Sequence, residues 1–281
     1  MDRLTARLES RSLVKFILGL TNFDVAEIRA LTQVYTLAGA DIIDVAADPG
    51  IVVATRQAME ETRHQFPDLG DPPGLMVSVA LERDPHIVGV PMNPAQQASV
   101  APATTQALTA NVQACLDRGA DAVELHAAAS DDASVTEAVA ALHRVLGNRY
   151  LSVCLGTQGL STPHDVLRQA KLAREIHGRP TMIQVEGLTT TGRAHPSSSL
   201  QGVALAQVLL AHTAAYVVLA GGANHWTRHL ADMLGVAVHG VAAGTYARGL
   251  VPRTTNLDGV APEAVTAVAR AFVEQLRGRR P

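Results

Sequence analysis

The sequence predicts an α/β fold, a single (β/α)8 TIM barrel over residues 1–281, and three observations predict it. Strand-like apolar runs alternate with helical patterns eight times along the chain. Helices close in a Gly-Ala turn that is followed by an acid and a β-branched strand: Ala38-Gly39-Ala40-Asp41 leads into Ile42-Ile43-Asp44-Val45, and Arg118-Gly119-Ala120-Asp121 into Ala122-Val123-Glu124-Leu125. In both junctions glycine supplies the helix C-cap. The length of 281 residues and an apolar fraction of 47% are enough for one large core.

The expected strands run over about 14–20, 41–46, 75–81, 121–126, 149–155, 181–186, 215–220 and 236–243. The first lies in Leu13-Val14-Lys15-Phe16-Ile17-Leu18-Gly19-Leu20, an apolar run too short for a helix. The second and fourth follow the Gly-Ala turns. After the third comes an irregular segment of about 82–101 carrying Pro85, Pro91 and Pro94. Loops at that end of a barrel form its active face, so this segment is a candidate lid. Before the seventh strand, the mildly apolar stretch from Val203 to Gly222 is interrupted by Gln207, His212 and Thr213. It reads as a buried helix running into a strand rather than a membrane span.

A formal charge of -3 with interspersed signs gives no basic stripe, which excludes nucleic acid and anionic membranes as expected partners. Cys115 and Cys154 have neither disulfide-framework nor metal spacing, and the first residues lack an apolar signal core, so a cytoplasmic protein is expected. A small molecule is the expected partner, with a homo-oligomer possible through exposed helices.

Alternation along each strand separates a face toward the helices from a face toward the barrel axis. The outward set is apolar: Phe16 and Leu18, Ile43 and Val45, Val77 and Val79, Val123 and Leu125, Val153, Ile183 and Val185. The inward set holds Lys15, Asp44, Ser78, Glu124, His126, Ser152, Cys154, Gln184 and Glu186. Barrels are ordinarily filled with branched aliphatic layers, so ionisable groups here imply a site on the axis. Lys15 is one of only two lysines among 23 basic residues, the other being Lys171. A buried cation needs a partner, and Asp44 on the adjacent strand is the natural one. Glu186 and His126 sit nearer the carboxyl ends of their strands, where catalytic groups in this fold collect.

A second constellation is Ala220-Gly221-Gly222-Ala223 at the end of the seventh strand and Ala243-Gly244-Thr245 at the end of the eighth. Such loops let backbone N–H groups approach a phosphate, although paired glycines also permit a tight turn with no ligand. His225 and His229 stand one helical turn apart without a carboxylate at matching spacing, so no metal site is predicted. His195, in a polar loop above the sixth strand, is either functional or marks a helix start.

Lys15 through Asp24, the junction from Ala38 to Ala46 with Asp48-Pro49, and Gln184-Val185-Glu186-Gly187 with His195-Pro196 resemble the TIM-barrel family of hypothetical chloroplast reading frame twenty-three, known from plastids and cyanobacteria. The resemblance covers about the first 55 residues and about 180–250. It implies the barrel and the site positions, Asn22 among them, but no chemistry. The stretch from Pro85 to Ala101 and Leu125-His126-Ala127-Ala128-Ala129 depart from its pattern. The second half is also similar to flavin barrels of the nitronate monooxygenase type through Gly187, His195, Gly221-Gly222 and Gly244-Thr245.

The expected function is therefore a lyase or synthase, with aldolase-like or proton-transfer chemistry, on a phosphorylated carbonyl metabolite and without a cofactor. Glu186 moves a proton on and off carbon. Lys15, Asp44, Glu124 and His126 are the other candidate catalytic groups, and Asn22, Gln184, Gly187, His195, Gly221, Gly222, Gly244 and Thr245 the candidate binding groups. Lys15 forms a Schiff base or acts as a fixed cation. Six residues from the active face at about 3.3 Å each put its backbone roughly 20 Å down the strand, which favours the cation. Two alternatives remain open: an oxidoreductase holding flavin mononucleotide (FMN) in the same loops, and a non-catalytic metabolite-binding barrel.

Overall fold

The computed structural model describes residues 2–157, 162–178, 181–187, 199–252 and 263–279. Eight strands, β1 (Leu13–Gly19), β2 (Ile42–Ala46), β3 (Gly74–Ala80), β4 (Ala122–His126), β5 (Leu151–Gly156), β6 (Thr181–Glu186), β7 (Tyr216–Ala220) and β8 (Gly240–Ala243), form one closed parallel barrel. The helices among the described residues are α1 (Asp2–Glu9), α2 (Val25–Ala38), α3 (Pro49–Gln65), α4 (Pro94–Val100), α5 (Thr105–Asp117), α6 (Asp132–Leu146), α7 (Pro163–His177), α8 (Leu200–His212), α9 (Thr227–Met233), α10 (Thr245–Leu250) and α11 (Glu263–Leu276). The chain is thus a single (β/α)8 TIM barrel, as the alternation predicts. None of the helices is long and apolar enough to cross a membrane.

Local chemistry sets the helix ends. Asp24 accepts from the backbone N–H groups of Ala26 and Glu27 at the start of α2, and Asp48 from those of Gly50 and Ile51 at the start of α3. Gly39 ends α2 in the left-handed region at φ 87°, as its Gly-Ala turn predicts. The outward residues of the strands pack with the helices in one continuous core, with Phe16 stacked on Tyr35 at a centroid distance of 3.8 Å. β8 begins at Gly240, later than the sequence pattern suggests. Residues 236–239 form an irregular approach in which His239 donates its N–H to the Val217 carbonyl. The seam between β8 and β1 is tight, since a Cβ on Gly240 would lie 2.6 Å from Cβ of Leu13.

The sequence pattern gives no sign of α1, which closes the lower end of the barrel. Leu4 and Leu8 join Leu13, Ile42, Met76, Ala122, Tyr150 and Met182 in an apolar floor. The polar interior is therefore not the full height of the barrel. It is a middle layer resting on hydrocarbon. The segment 82–101 is also less irregular than its prolines suggest, because it contains α4, whose start is a capping box between Asn93 and Gln96. Val100 of that helix and Ile87 before it pack on Leu20, Ala46 and Ala80, which seats the segment over the upper rim.

His177 at the end of α7 is buried, donates from Nε2 to the Arg149 carbonyl at 2.8 Å, and faces His143. Burial is the main reason that its pKa, like that of His239, falls below the ordinary 6.5. The unfolded chain then binds protons that the folded chain refuses, so stability through these residues is complete above pH 6.5 and falls as the pH drops below it. Urea unfolding at pH 7 and pH 5 tests this: the change in stability on acidification is measurably less favourable in the wild type than in His177→Gln.

Candidate active site

The middle layer is organised by Lys15, which is 2% exposed. Its Nζ lies 2.9 Å from Oδ2 of Asp44, donates to Oε1 of Gln184 at 3.0 Å, and makes its shortest contact with Oε2 of Glu124. Ser78 donates to Asp44 at 2.7 Å, while Ser152 and Gln184 donate to the two oxygens of Glu124 at 2.7 and 2.9 Å. Asp44 and Lys15 form a buried ion pair. Burial works against the charge on Lys15, but the carboxylates of Asp44 and Glu124 outweigh it and its pKa stands above the ordinary 10.5. For Asp44 burial prevails and the carboxyl is pushed up. For Glu124 burial is overcome by Lys15 and His126, and the carboxyl is held well below its usual range.

Above this layer the mouth of the barrel opens as a cavity of about 440 Å³. Glu186 and His126 from the strand ends reach its wall, together with Gly221, Gly222, Gly244 and Thr245. Lys15, Asp44, Glu124 and Gln184 lie beneath it and do not line it. Asn22 is spent on local structure, donating to the Leu18 carbonyl and accepting from the Asp24 N–H. Gly187 packs below the turn after β7: a Cβ on Gly221, whose φ is +57°, would lie 2.6 Å from the Gly187 nitrogen. Gly221 is thus required by backbone packing whether or not a phosphate binds. His195 lies outside the described residues.

Three groups not singled out in the sequence belong to this site, His86 and Arg248 in the cavity wall and Asp84 behind His86. Asp84 and His86 come from the segment after β3, where Asp84 is fully buried. Asp84 Oδ1 accepts from Nδ1 of His86 at 2.8 Å and from its backbone N–H at 2.9 Å, and Oδ2 accepts from the Ala128 N–H at 3.0 Å. Nε2 of His86 lies 3.2 Å from Oε1 of Glu186. Burial opposes a charge on this imidazole, yet its bonds to Asp84 and Glu186 prevail and push its pKa up to about 11. The third group, Arg248, projects from α10. Nη1 donates to the Ile17 carbonyl at 2.8 Å and Nη2 to the Thr245 hydroxyl at 3.0 Å. A β-bulge between Ile17 and Gly19 lies at that carbonyl. A carboxylate in Asp84-Pro85-His86, and an arginine four residues after Gly244, were the available signals.

Replacing Lys15 by Met leaves Asp44 and Glu124 facing each other with no cation between them. The expected cost is about 3–5 kcal/mol in urea or thermal unfolding, as for a broken buried ion pair. Lys15→Met with Glu124→Gln recovers part of that loss, because the charge left unpaired is smaller.

Residues 115–272 match the family described as the light dependent period A C-terminal domain, and residues 1–61 match a family described as a protein of unknown function (DUF561). No curated protein matches the chain. Among solved structures, (S)-3-O-geranylgeranylglyceryl phosphate synthase from Thermoplasma acidophilum is similar at 12% identity and a TM-score of 0.57, over 99% of this chain and 98% of that one. Tryptophan synthase from M. tuberculosis is similar at 15% identity and a TM-score of 0.52, over 98% of each chain. The carboxyl transferase domain of Rhizobium etli pyruvate carboxylase is similar at 12% identity and 0.58, over 99% of this chain but 49% of that one. At these identities the likeness is one of fold. The first match spans more than half of the 281 residues, and the chain belongs to the light dependent period A C-terminal domain family.

Proposed function

We propose that the protein is a lyase or synthase acting on a small phosphorylated carbonyl compound at the mouth of the barrel. The observation that carries this reading is one cavity whose wall includes both an acid–base pair, His86 and Glu186, and a guanidinium beside glycine-rich loops, Arg248 with Gly222, Gly244 and Thr245. A planar guanidinium suits a phosphate, and an imidazole between two carboxylates suits proton transfer. The synthase from Thermoplasma acidophilum, similar in fold, was solved with its substrate sn-glycerol-1-phosphate.

In the reaction proposed, the Glu186 carboxylate takes a proton from the carbon next to a carbonyl. The C–H electron pair moves into the carbon framework and the carbonyl oxygen takes a proton from His86, leaving a neutral enol and a neutral imidazole. Asp84 positions that imidazole. Lys15 serves beneath the cavity as the fixed cation that balances Asp44 and Glu124, rather than as an imine-forming amine, because a protonated amine enclosed by acceptors is not a nucleophile.

Proton–deuteron exchange at the carbon next to the carbonyl of small ketose and aldose phosphates, followed by NMR in D2O, tests the reading. Glu186→Gln and His86→Gln should each slow exchange by about 10²–10⁴-fold. Arg248→Met should raise KM for the phosphorylated compound more than it lowers kcat. Ligand binding without exchange would support the non-catalytic barrel instead, and flavin absorbance from the protein after incubation with FMN would support the oxidoreductase.

A further inference from the structure

We propose that Asp84, His86 and His126 form a binding site for a divalent transition-metal ion on the floor of the cavity, with Glu186 orienting the His86 ring. The proposal goes beyond the lyase reading but shares His86, Asp84 and Glu186 with it, and an ion bound there takes the place of the His86 proton.

One ligand atom from each of the three residues lies within 4.8 Å of the other two. Asp84 Oδ1 and His86 Nδ1 are already 2.8 Å apart. Ligands of a tetrahedral ion bound at about 2.1 Å stand about 3.4 Å apart, so an ion replaces the proton of that hydrogen bond and the pair opens by about half an ångström. His126 supplies an independent observation. It is 2% exposed, and its Nδ1 has no hydrogen-bond partner among the described residues. Nε2 makes an ion contact of 3.1 Å with Oε1 of Glu124, which leaves Nδ1 as the nitrogen open to an ion. Leaving a buried polar group unsatisfied costs about 1–3 kcal/mol, and coordination of one nitrogen removes part of that cost.

The surroundings fit an ion as well. Metal-bound imidazoles are usually held through the second ring nitrogen by a carboxylate. Here Glu186 Oε1 stands 3.2 Å from His86 Nε2, while the Ala128 N–H fixes the distal oxygen of Asp84. His86, His126 and Glu186 all line the cavity, so an ion has an entrance and a side open to substrate. A simple Asp84–His86–Glu186 bridge explains two of these side chains and leaves Nδ1 of His126 without a partner.

His126 also belongs to a second group of ligand-type side chains, with Glu124 and Cys154. That group is the poorer host. The oxygens of Glu124 are occupied by Lys15, Ser152 and Gln184. Neither Glu124 nor Cys154 lines the cavity, and burial pushes the Cys154 thiol well above its ordinary value. Two imidazoles with one carboxylate select zinc, cobalt, manganese or ferrous iron over magnesium or calcium.

The test is titration of the chelator-treated full chain with Zn2+ by calorimetry and with Co2+ by visible absorption, in the absence of any substrate. The expected result is one ion per chain and Co2+ bands typical of nitrogen and oxygen ligands. His126→Ala and Asp84→Asn should each weaken binding by at least about tenfold, and Glu186→Gln by about 10–100-fold. Cys154→Ser should leave it unchanged. Absence of binding, or affinity indifferent to His126→Ala and Asp84→Asn, overturns the proposal. So does a loss of affinity in Cys154→Ser, which would place the ion in the other group. Where Asp84→Asn fails to fold, His126→Gln gives the same comparison. Because no turnover is read, failure of the lyase reading leaves this outcome unaffected.

Discussion

The ion contact between Lys15 and its carboxylates is the constraint on which the barrel interior depends. A lysine 2% exposed on the first strand is tolerable only if acceptors from across the barrel converge on it. Asp44 comes from β2, Glu124 from β4 and Gln184 from β6, so the cation pins three strands to a fourth. Its partners are fixed in turn by Ser78 on β3 and Ser152 on β5. A polar layer of this kind specifies one arrangement of strands, because a displaced strand would leave a buried charge unmatched.

That layer also sorts the interior by height. Below it the floor is apolar and sealed by α1, and above it the barrel opens into a cavity in which a few charged groups stand among apolar ones. The groups nearest solvent differ in origin from those beneath. Glu186 and His126 belong to strand ends, whereas Asp84, His86 and Arg248 are delivered by connecting segments and a short helix. Strands thus supply a rigid frame of charge, and the upper segments supply the side chains that vary with the ligand.

Much of this was legible in the sequence. The Gly-Ala turns mark helix ends and the apolar alternation marks strand phase, so the inward placement of Lys15, Asp44, Glu124, Gln184 and Glu186 could be read from spacing alone. Depth could be read partly, since Lys15 stands far from Thr21 along its strand. What could not be read were contacts across the barrel. Spacing suggested Asp44 as the partner of Lys15, but Glu124, separated from it by 109 positions, makes the closer contact. Asp84 and His86 were hidden for a different reason. They lie outside periodic structure, and only the seating of Ile87 and Val100 on the rim brings them over the axis. Arg248 was hidden because its functional neighbour, the Ile17 carbonyl, is 231 positions away.

The Arg248–Ile17 contact bears on how the molecule is made. During synthesis the first strand emerges before its partners, and its bulged carbonyl has no guanidinium donor until the 231 positions that separate it from Arg248 have been made. Lys15 waits in the same way for Glu124 and then for Gln184. The ring therefore closes late, through contacts of very long sequence separation, and the nascent half-barrel must meanwhile keep its open strand edges apart from other chains. The mouth and the seam of the barrel are joined by the same guanidinium, so a finished binding cavity is also a report that the last strand has met the first.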